Sequence, residues 1–268
     1  MIIAQISDSH ITHVGGQADR KYETATHLQR AVAHLAQLPA PPDIVLVTGD
    51  CVDGGSVPEY ERFRNLLSPL TMPVYLIPGN HDDRVHMRKV FGTQGLKPMA
   101  SFVQYVVDEW PVRLLALDTN VPGHPEGYLC PERLRWLEDR LAEAPGRPTV
   151  LFLHHPPFST GLAVLDRMGL EGAVALGAIV ARYPNVERIV AGHIHCAMQR
   201  RFYGTLAMTC PSTAHQLFLD LQRPERLAVV MEPPACLLHV WRATTGLVTH
   251  TSLIGKYDPV MEIYDGEK

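Results

Sequence analysis

A chain of 268 residues with 46% hydrophobic and 19% charged residues has the make-up of a globular protein and is long enough to bury one sizeable core. The net charge is −4, and Arg200-Arg201 is the only pair of adjacent arginines, so the basic stripe of a habitual nucleic-acid binder is missing. No apolar run approaches membrane-spanning length, and the five cysteines stand apart without a Cys-x-x-Cys, so the expected setting is the reducing cytoplasm.

Neither repeats nor low-complexity linkers divide the chain, which reads as one domain over 1–268. Ile2 to Ile6 predicts a first strand ending in Ser7-Asp8-Ser9-His10. Leu28, Ala31, Val32, Leu35 and Leu38 form a helical stripe within Tyr22 to Leu38, which Pro39 to Pro42 ends. Ile44 to Val47 is continuously apolar, as in a strand covered on both faces, and stops at Thr48-Gly49-Asp50. A helix is expected over Pro58 to Leu67. Val74 to Ile77 is then a strand that breaks at Pro78-Gly79-Asn80-His81-Asp82.

A short helix to Phe91 follows, with strands over Ser101 to Val107 and Val112 to Asp118 and a helix over Glu132 to Leu141. Val150 to Leu153 ends in His154-His155-Pro156-Pro157. A helix over Leu170 to Tyr183 precedes the strand Val186 to Ala191, which ends in Gly192-His193-Ile194-His195. From about residue 201 the chain turns to short strands, at Arg201 to Tyr203, Leu206 to Thr209, Leu237 to Arg242 and Leu247 to Ser252. Tyr257 to Lys268 shows no clear element. Alternating strand and helix predicts an α/β sheet covered by helices on both outer faces.

Five apolar strands thus end in five polar clusters, and ligands of α/β sheets bind beyond the carboxyl ends of the strands. Of fourteen histidines, six fall in these clusters; the others, such as His239, read singly as surface or structural residues. Asp8 with His10, and His193 with His195, are i, i+2 pairs that point to one side if the backbone is extended, so each pair is expected to clasp one metal region. With Asp50, Asn80 and the His154-His155 cluster this gives oxygen ligands and about four imidazoles. That is too many for one tetrahedral zinc and suits two adjacent cations. Without thiolates, Mn, Fe, Zn, Co and Ni are all admissible. Asp50, alone on its turn, is the natural bridge.

Asp8-Ser-His10, Gly49-Asp50, Gly79-Asn80-His81-Asp82, His154-His-Pro156 and Gly192-His-Ile-His195, taken in order, resemble the signature of the calcineurin-like metallophosphoesterases. With Pro211-Ser-Thr-Ala-His215-Gln216 and Pro234-Ala-Cys-Leu-Leu-His239, the whole chain is similar to bacterial class III cyclic-nucleotide phosphodiesterases and glycerophosphodiesterases. The resemblance implies a four-layer αββα sandwich of two mixed sheets flanked by helices, with about 1–200 as the metal-binding core. It implies one metal held by Asp8, His10 and His195, a second by Asn80, His154 and His193, and Asp50 between them. His155 then neighbours the ligands without being one.

The chemistry implied is in-line attack on phosphorus by a hydroxide held between two divalent or mixed-valence metals. His81 would stabilise the phosphoryl oxygens or protonate the leaving alkoxide, and Asp82 would orient His81 or its loop. Two divalent cations set against Asp8, Asp50 and one hydroxide leave about one positive charge, which a diester monoanion neutralises. A small phosphodiester such as 3′,5′-cyclic AMP is the expected substrate; glycerophosphodiesters, monoesters, or a catalytically silent scaffold are the alternatives. A protein phosphatase is disfavoured because no Arg follows Asp50 in Cys51-Val52-Asp53-Gly54. His215 and the loops Val121 to Tyr128 and Pro157 to Leu165 are candidate pocket walls. In relatives the segment after the core commonly pairs, so 201–268 is the expected homodimer contact.

Overall fold

The computed structural model describes residues 1–261. β1 (Ile2–Ile6) leads to α1 (Gln17–Tyr22) and α2 (Thr24–Gln37). The single stripe from Tyr22 predicts one helix, but Glu23 takes a left-handed φ of 50° and separates the two. β2 (Ile44–Val47) precedes α3 (Val57–Leu67), whose start is fixed by reciprocal bonds between Ser56 and Glu59 and by Pro58 in the first turn. β3 (Val74–Leu76) and α4 (Arg84–Phe91) follow, then β4 (Tyr105–Val107) and β5 (Arg113–Leu117). The strand expected from Ser101 begins later because the Met99 and Phe102 carbonyls accept from the Arg88 guanidinium instead of a neighbouring strand.

β6 (Gly127–Tyr128), α5 (Pro131–Ala142), β7 (Thr149–Leu153), α6 (Ala163–Asp166), β8 (Leu170–Glu171), α7 (Ala173–Val180) and β9 (Val186–Ala191) come next. The helix expected from Leu170 starts at Ala173: Leu170 and Glu171 pair with Gly127 and Tyr128, and Gly172 at φ 93° turns the chain into the helix. The strand-rich close comprises β10 (Gln199–Phe202), β11 (Thr205–Thr209), β12 (Gln216–Leu217), β13 (Val229–Val230), β14 (Ala235–Arg242) and β15 (Gly246–Leu253). No element occurs in 257–261, and the rest of the expected tail, 262–268, lies outside the described residues.

Two sheets replace the single sheet that alternation alone suggested. The first has the order β15-β14-β1-β2-β3, with β1, β2 and β3 parallel. The second has the order β10-β11-β9-β7-β5-β4, with β5, β7, β9 and β11 parallel. One core cluster unites them, and all of β2, β5 and β7 is buried. α2, α3 and α4 pack in succession beside the first sheet, while α5 packs on β5 and α7, giving the four layers. The last strands are not a separate unit: β14 pairs antiparallel with β1 and completes the first sheet.

Polar bonds as well as apolar packing join the sheets. Gln5 on β1 donates through its amide to the Ala191 carbonyl on β9, and its Oε1 accepts from His239 Nε2 at 3.1 Å. His239 Nδ1 faces the Thr249 hydroxyl at 2.9 Å, so the buried ring is satisfied in its neutral form. Burial, with the Arg188 charge second, pushes His239 down to about 3. The unfolded chain therefore takes up a proton near pH 6.5 that the folded chain refuses, and stability falls as pH drops through that value. From pH 7 to pH 5 this ring is expected to remove about 2 kcal/mol. Urea unfolding of His239→Gln at both pH values tests it: the variant should lose less on acidification than the parent, and an identical loss would refute the assignment.

Candidate metal centre

The five polar clusters sit at the carboxyl ends of β1, β2 and β3 in one sheet and of β7 and β9 in the other. Backbone bonds align neighbouring loops within each sheet: Asp8 N donates to Gly49 O, His10 N to Asp50 O, and Gly192 N to His154 O. Side chains lock the two sets together. His193 N donates to both Asp8 carboxylate oxygens at 3.1 Å, and His154 Nδ1 donates to Thr48 O at 2.7 Å.

Glycine is required where the loops converge. A Cβ on Gly79 would lie 2.1 Å from Asp50 Oδ1, and one on Gly192 would lie 2.0 Å from Ser7 Oγ. Asp8, His10, Asp50, His193 and His195 have φ between 43° and 70°, which accounts for five of the eight left-handed non-glycine residues described. Such strain concentrates where the fold must aim functional groups. It also overturns the extended-backbone reading of the i, i+2 pairs. His193 packs against His154, with ring centroids 5.0 Å apart, whereas His195 packs against His10 at 5.1 Å, so the pair divides between two sub-clusters.

One sub-cluster joins Asp8, His10 and His195: His195 Nε2 is 3.5 Å from Asp8 Oδ1 and 3.2 Å from His10 Nε2. The other joins Asn80, His154 and His193, with His154 Nε2 3.1 Å from Asn80 Oδ1. Asp50 stands between them. Its Oδ2 is 3.6 Å from His10 Nε2 and 3.5 Å from His154 Nε2.

Each imidazole is oriented from behind. Nδ1 of His10 faces the Asp53 carboxylate at 3.1 Å, Nδ1 of His195 donates to His215 O at 2.9 Å, and Nε2 of His193 donates to Met168 O at 2.9 Å. With the Nδ1 protons of His10 and His195 committed, their Nε2 lone pairs point at each other across 3.2 Å. A metal cation bound by both nitrogens relieves that juxtaposition, as would a proton shared between them. The donor set therefore fits metal ions, with oxygen and nitrogen ligands and no thiolate.

The electrostatics draw positive charge toward Asp50. Burial alone would raise the Asp50 carboxyl, but the His154 charge beside it holds it well below the usual carboxylate range. Burial likewise opposes charging His154, yet the Asp50 carboxylate lifts it to about 9. Burial, and then repulsion from a neighbouring imidazole, pushes His193 down to about 4 and His195 to about 3, which keeps both rings neutral as ligation requires.

His81 lines the cleft, edge-on to His10 at 4.7 Å, and its Nδ1 donates to Asp53 O at 2.9 Å. Of the two roles expected for Asp82, the bonds support the loop and not the His81 ring: its buried carboxylate accepts from Tyr60 Oη and from the backbone N–H groups of Cys51, Val52 and Gly79. His155 has both ring nitrogens occupied, by Thr119 Oγ1 and Pro125 O, although its ring stands against those of His154 and His193.

Asp53 was not singled out by the sequence reading, although it is the carboxylate behind His10. Its spacing three residues after Asp50 was the available signal. His215 joins the site, 4.7 Å from His195 and stacked on Tyr22 at 4.4 Å. The cleft above the cluster encloses about 390 Å³ and is walled by Tyr22, Pro125, Leu165, Met168, Leu217 and Leu227. Pro157 to Thr160 instead line a neighbouring cleft of about 800 Å³ that contains none of the ligand set.

The model of the calcineurin-like phosphoesterase family matches residues 1–197. The chain belongs to that family. It is 34% identical over 266 residues to a probable glycerophosphodiester phosphodiesterase, GpdQ, of Arcobacter nitrofigilis, covering 99% of this chain and 97% of that protein. It is 31% identical to the 3′,5′-cyclic adenosine monophosphate phosphodiesterase CpdA of Escherichia coli, covering 80% and 76%. A dimetal phosphatase from Danio rerio shares the fold at a TM-score of 0.67 and 15% identity, covering 95% of this chain and 99% of that one. Family membership agrees with the two sub-clusters joined at Asp50, the arrangement a binuclear centre needs.

Proposed function

We propose that the protein is a two-metal phosphodiesterase acting on small diesters, with glycerophosphodiesters as its first substrate class and 3′,5′-cyclic AMP as the second reading. The observation that carries it is the pair of opposed Nε2 lone pairs beside a shared Asp50, over a cleft sized for a headgroup or a nucleotide. The order of substrates rests on the likeness to a probable glycerophosphodiester phosphodiesterase over 99% of this chain; a probable cyclic nucleotide phosphodiesterase of Rhodopseudomonas palustris, 35% identical over 95% of it, supports the second reading. Asp8, His10 and His195 would hold one cation, Asn80, His154 and His193 the other, and Asp50 both; Mn, Fe, Zn and Co remain equally suited. Bound there, the cations supply water activation and phosphoryl polarisation.

The chain's own residues do the rest. Asp53 and the carbonyls of Thr48, Met168 and His215 fix which imidazole nitrogen faces the centre. His81, with Nδ1–H given to Asp53 O, presents Nε2 to the cleft for the phosphoryl oxygens or the leaving alkoxide. We place the reaction in the cytoplasm, on the five free cysteines; no described helix is long and apolar enough to cross a membrane. Phe218, Leu219, Leu221, Val229 and Met231 are exposed around β12 and β13, a patch that fits a second copy of the chain.

The test is elemental analysis of the purified protein, with hydrolysis of glycerophosphocholine, cyclic AMP and bis(p-nitrophenyl) phosphate before chelation, after it, and after Mn²⁺ return. Two metals per chain, metal-restored diester cleavage and a dimer by light scattering are expected. Two bound metals without diester cleavage would overturn the reading.

A further inference from the structure

We propose that Asn120 is a positioning residue, which clamps the turn carrying Asn80 and His81 from the opposite sheet. The inference rests on the reading that those two side chains serve the metal centre. Asn80 is half-buried and His81 is exposed, so packing on their side chains does not hold them. Their placement is set by the backbone of Gly79 to Asp82, which closes on itself through one long bond, Asp82 N to Gly79 O at 3.3 Å.

From the side of β2, the Asp82 carboxylate holds this turn, together with Asp50 Oδ1, which accepts from His81 N. From the other side a single amide does so. Asn120 Nδ2 donates to the carbonyls of both Gly79 and Asp82, the residues that bracket Asn80 and His81. Asn120 follows β5 in the second sheet, whereas Gly79 follows β3 in the first. The bond pair therefore ties the loop of one sheet to the end of the other at the point where the two metal sub-clusters must meet.

Asn120 is itself anchored. It is 2% exposed, and its backbone N donates to Asp118 Oδ1 at 3.0 Å. Asp118 is fully buried and receives Arg84 through Nε at 2.6 Å and Nη2 at 2.9 Å, with Val103 N at 2.8 Å. Arg84 also donates to Asn120 O, and Arg133 to Asp118 O. Because Arg84 lies two residues beyond Asp82, its ion pair returns the far end of the same turn to the same anchor. The loop is closed around Asn80 and His81 without any group of the clamp touching the cleft.

The test uses Asn120→Asp, which keeps the shape and faces two carbonyls with an acceptor, and Asn120→Ser, which keeps one donor. Asn80→Ala serves as control. In the metal-loaded enzyme Asn120→Asp should weaken one of the two metals about 10- to 100-fold and lower kcat more than it raises KM, with Asn120→Ser between it and the parent. Combined with His81→Ala, its effect on kcat should be less than multiplicative. A merely structural Asn120 would lower the unfolding temperature while both metals bind at parental affinity and the double variant is multiplicative; that result overturns the proposal. If Asn80→Ala also keeps both metals, the reading of the centre fails instead.

Discussion

Asp50→Asn is expected to lose both metals together and at least about 10³-fold in kcat/KM. Asp50 Oδ2 lies about equally far from His10 and His154, one from each sub-cluster, and among the described ion pairs no other carboxylate joins an imidazole of both. Asparagine is the informative replacement. At φ 46° it is tolerated better than alanine, and its Oδ1 can still accept from His81 N, which Asp50 Oδ1 does at 3.0 Å. The variant removes the charge and little else. Metal titration by calorimetry, with unfolding of the metal-free form as a check on folding, separates the outcomes. Retention of one metal at parental affinity would show that Asp50 belongs to a single sub-cluster.

The ends of the five strands could be read in the sequence because a buried strand has nowhere to put polar side chains except beyond its carboxyl end. Ile44 to Val47 running into Gly49-Asp50 is the clearest case, and the fold places it as expected. The division of those strands between two sheets could not be read this way. A strand covered on both faces by helices and one covered by a helix and a second sheet present the same apolar run. The backbone at the ligands was equally hidden. Asp8, His10, His193 and His195 look extended by spacing, but each takes a left-handed conformation imposed by loops packed from another strand.

What escaped altogether is what depends on distance in the chain. Asn120 meets Gly79 and Asp82 across about forty residues, and Gln5 meets Ala191 across 186, with no local pattern to announce either. Asp53 sits behind His10, whose own motif announced it, whereas His215 was legible as a candidate pocket wall and lies beside His195. Glu23 shows the converse: the stripe from Leu28 to Leu35 fixed the helix face, yet nothing in that periodicity marks the left-handed residue that starts it.

His81→Ala should keep both metals and still lose activity, by about 10²- to 10⁴-fold on diesters with alkoxide leaving groups. The backbone N–H of residue 81, which binds Asp50, survives the substitution, and the ring itself contacts His10 only edge-on, so the ligand set should stay in place. What goes is the Nε2 atom facing the cleft, while Asp53 stays bonded to His10. The leaving group discriminates between the two ways that atom can act. p-Nitrophenolate departs without a proton, so a general acid is dispensable there and indispensable for glycerol or a ribose hydroxyl. A loss confined to alkoxide esters assigns His81 to the leaving oxygen, and an equal loss on both assigns it to the phosphoryl oxygens. Full activity on a glycerophosphodiester would remove His81 from the mechanism and leave Asp53 serving His10 alone.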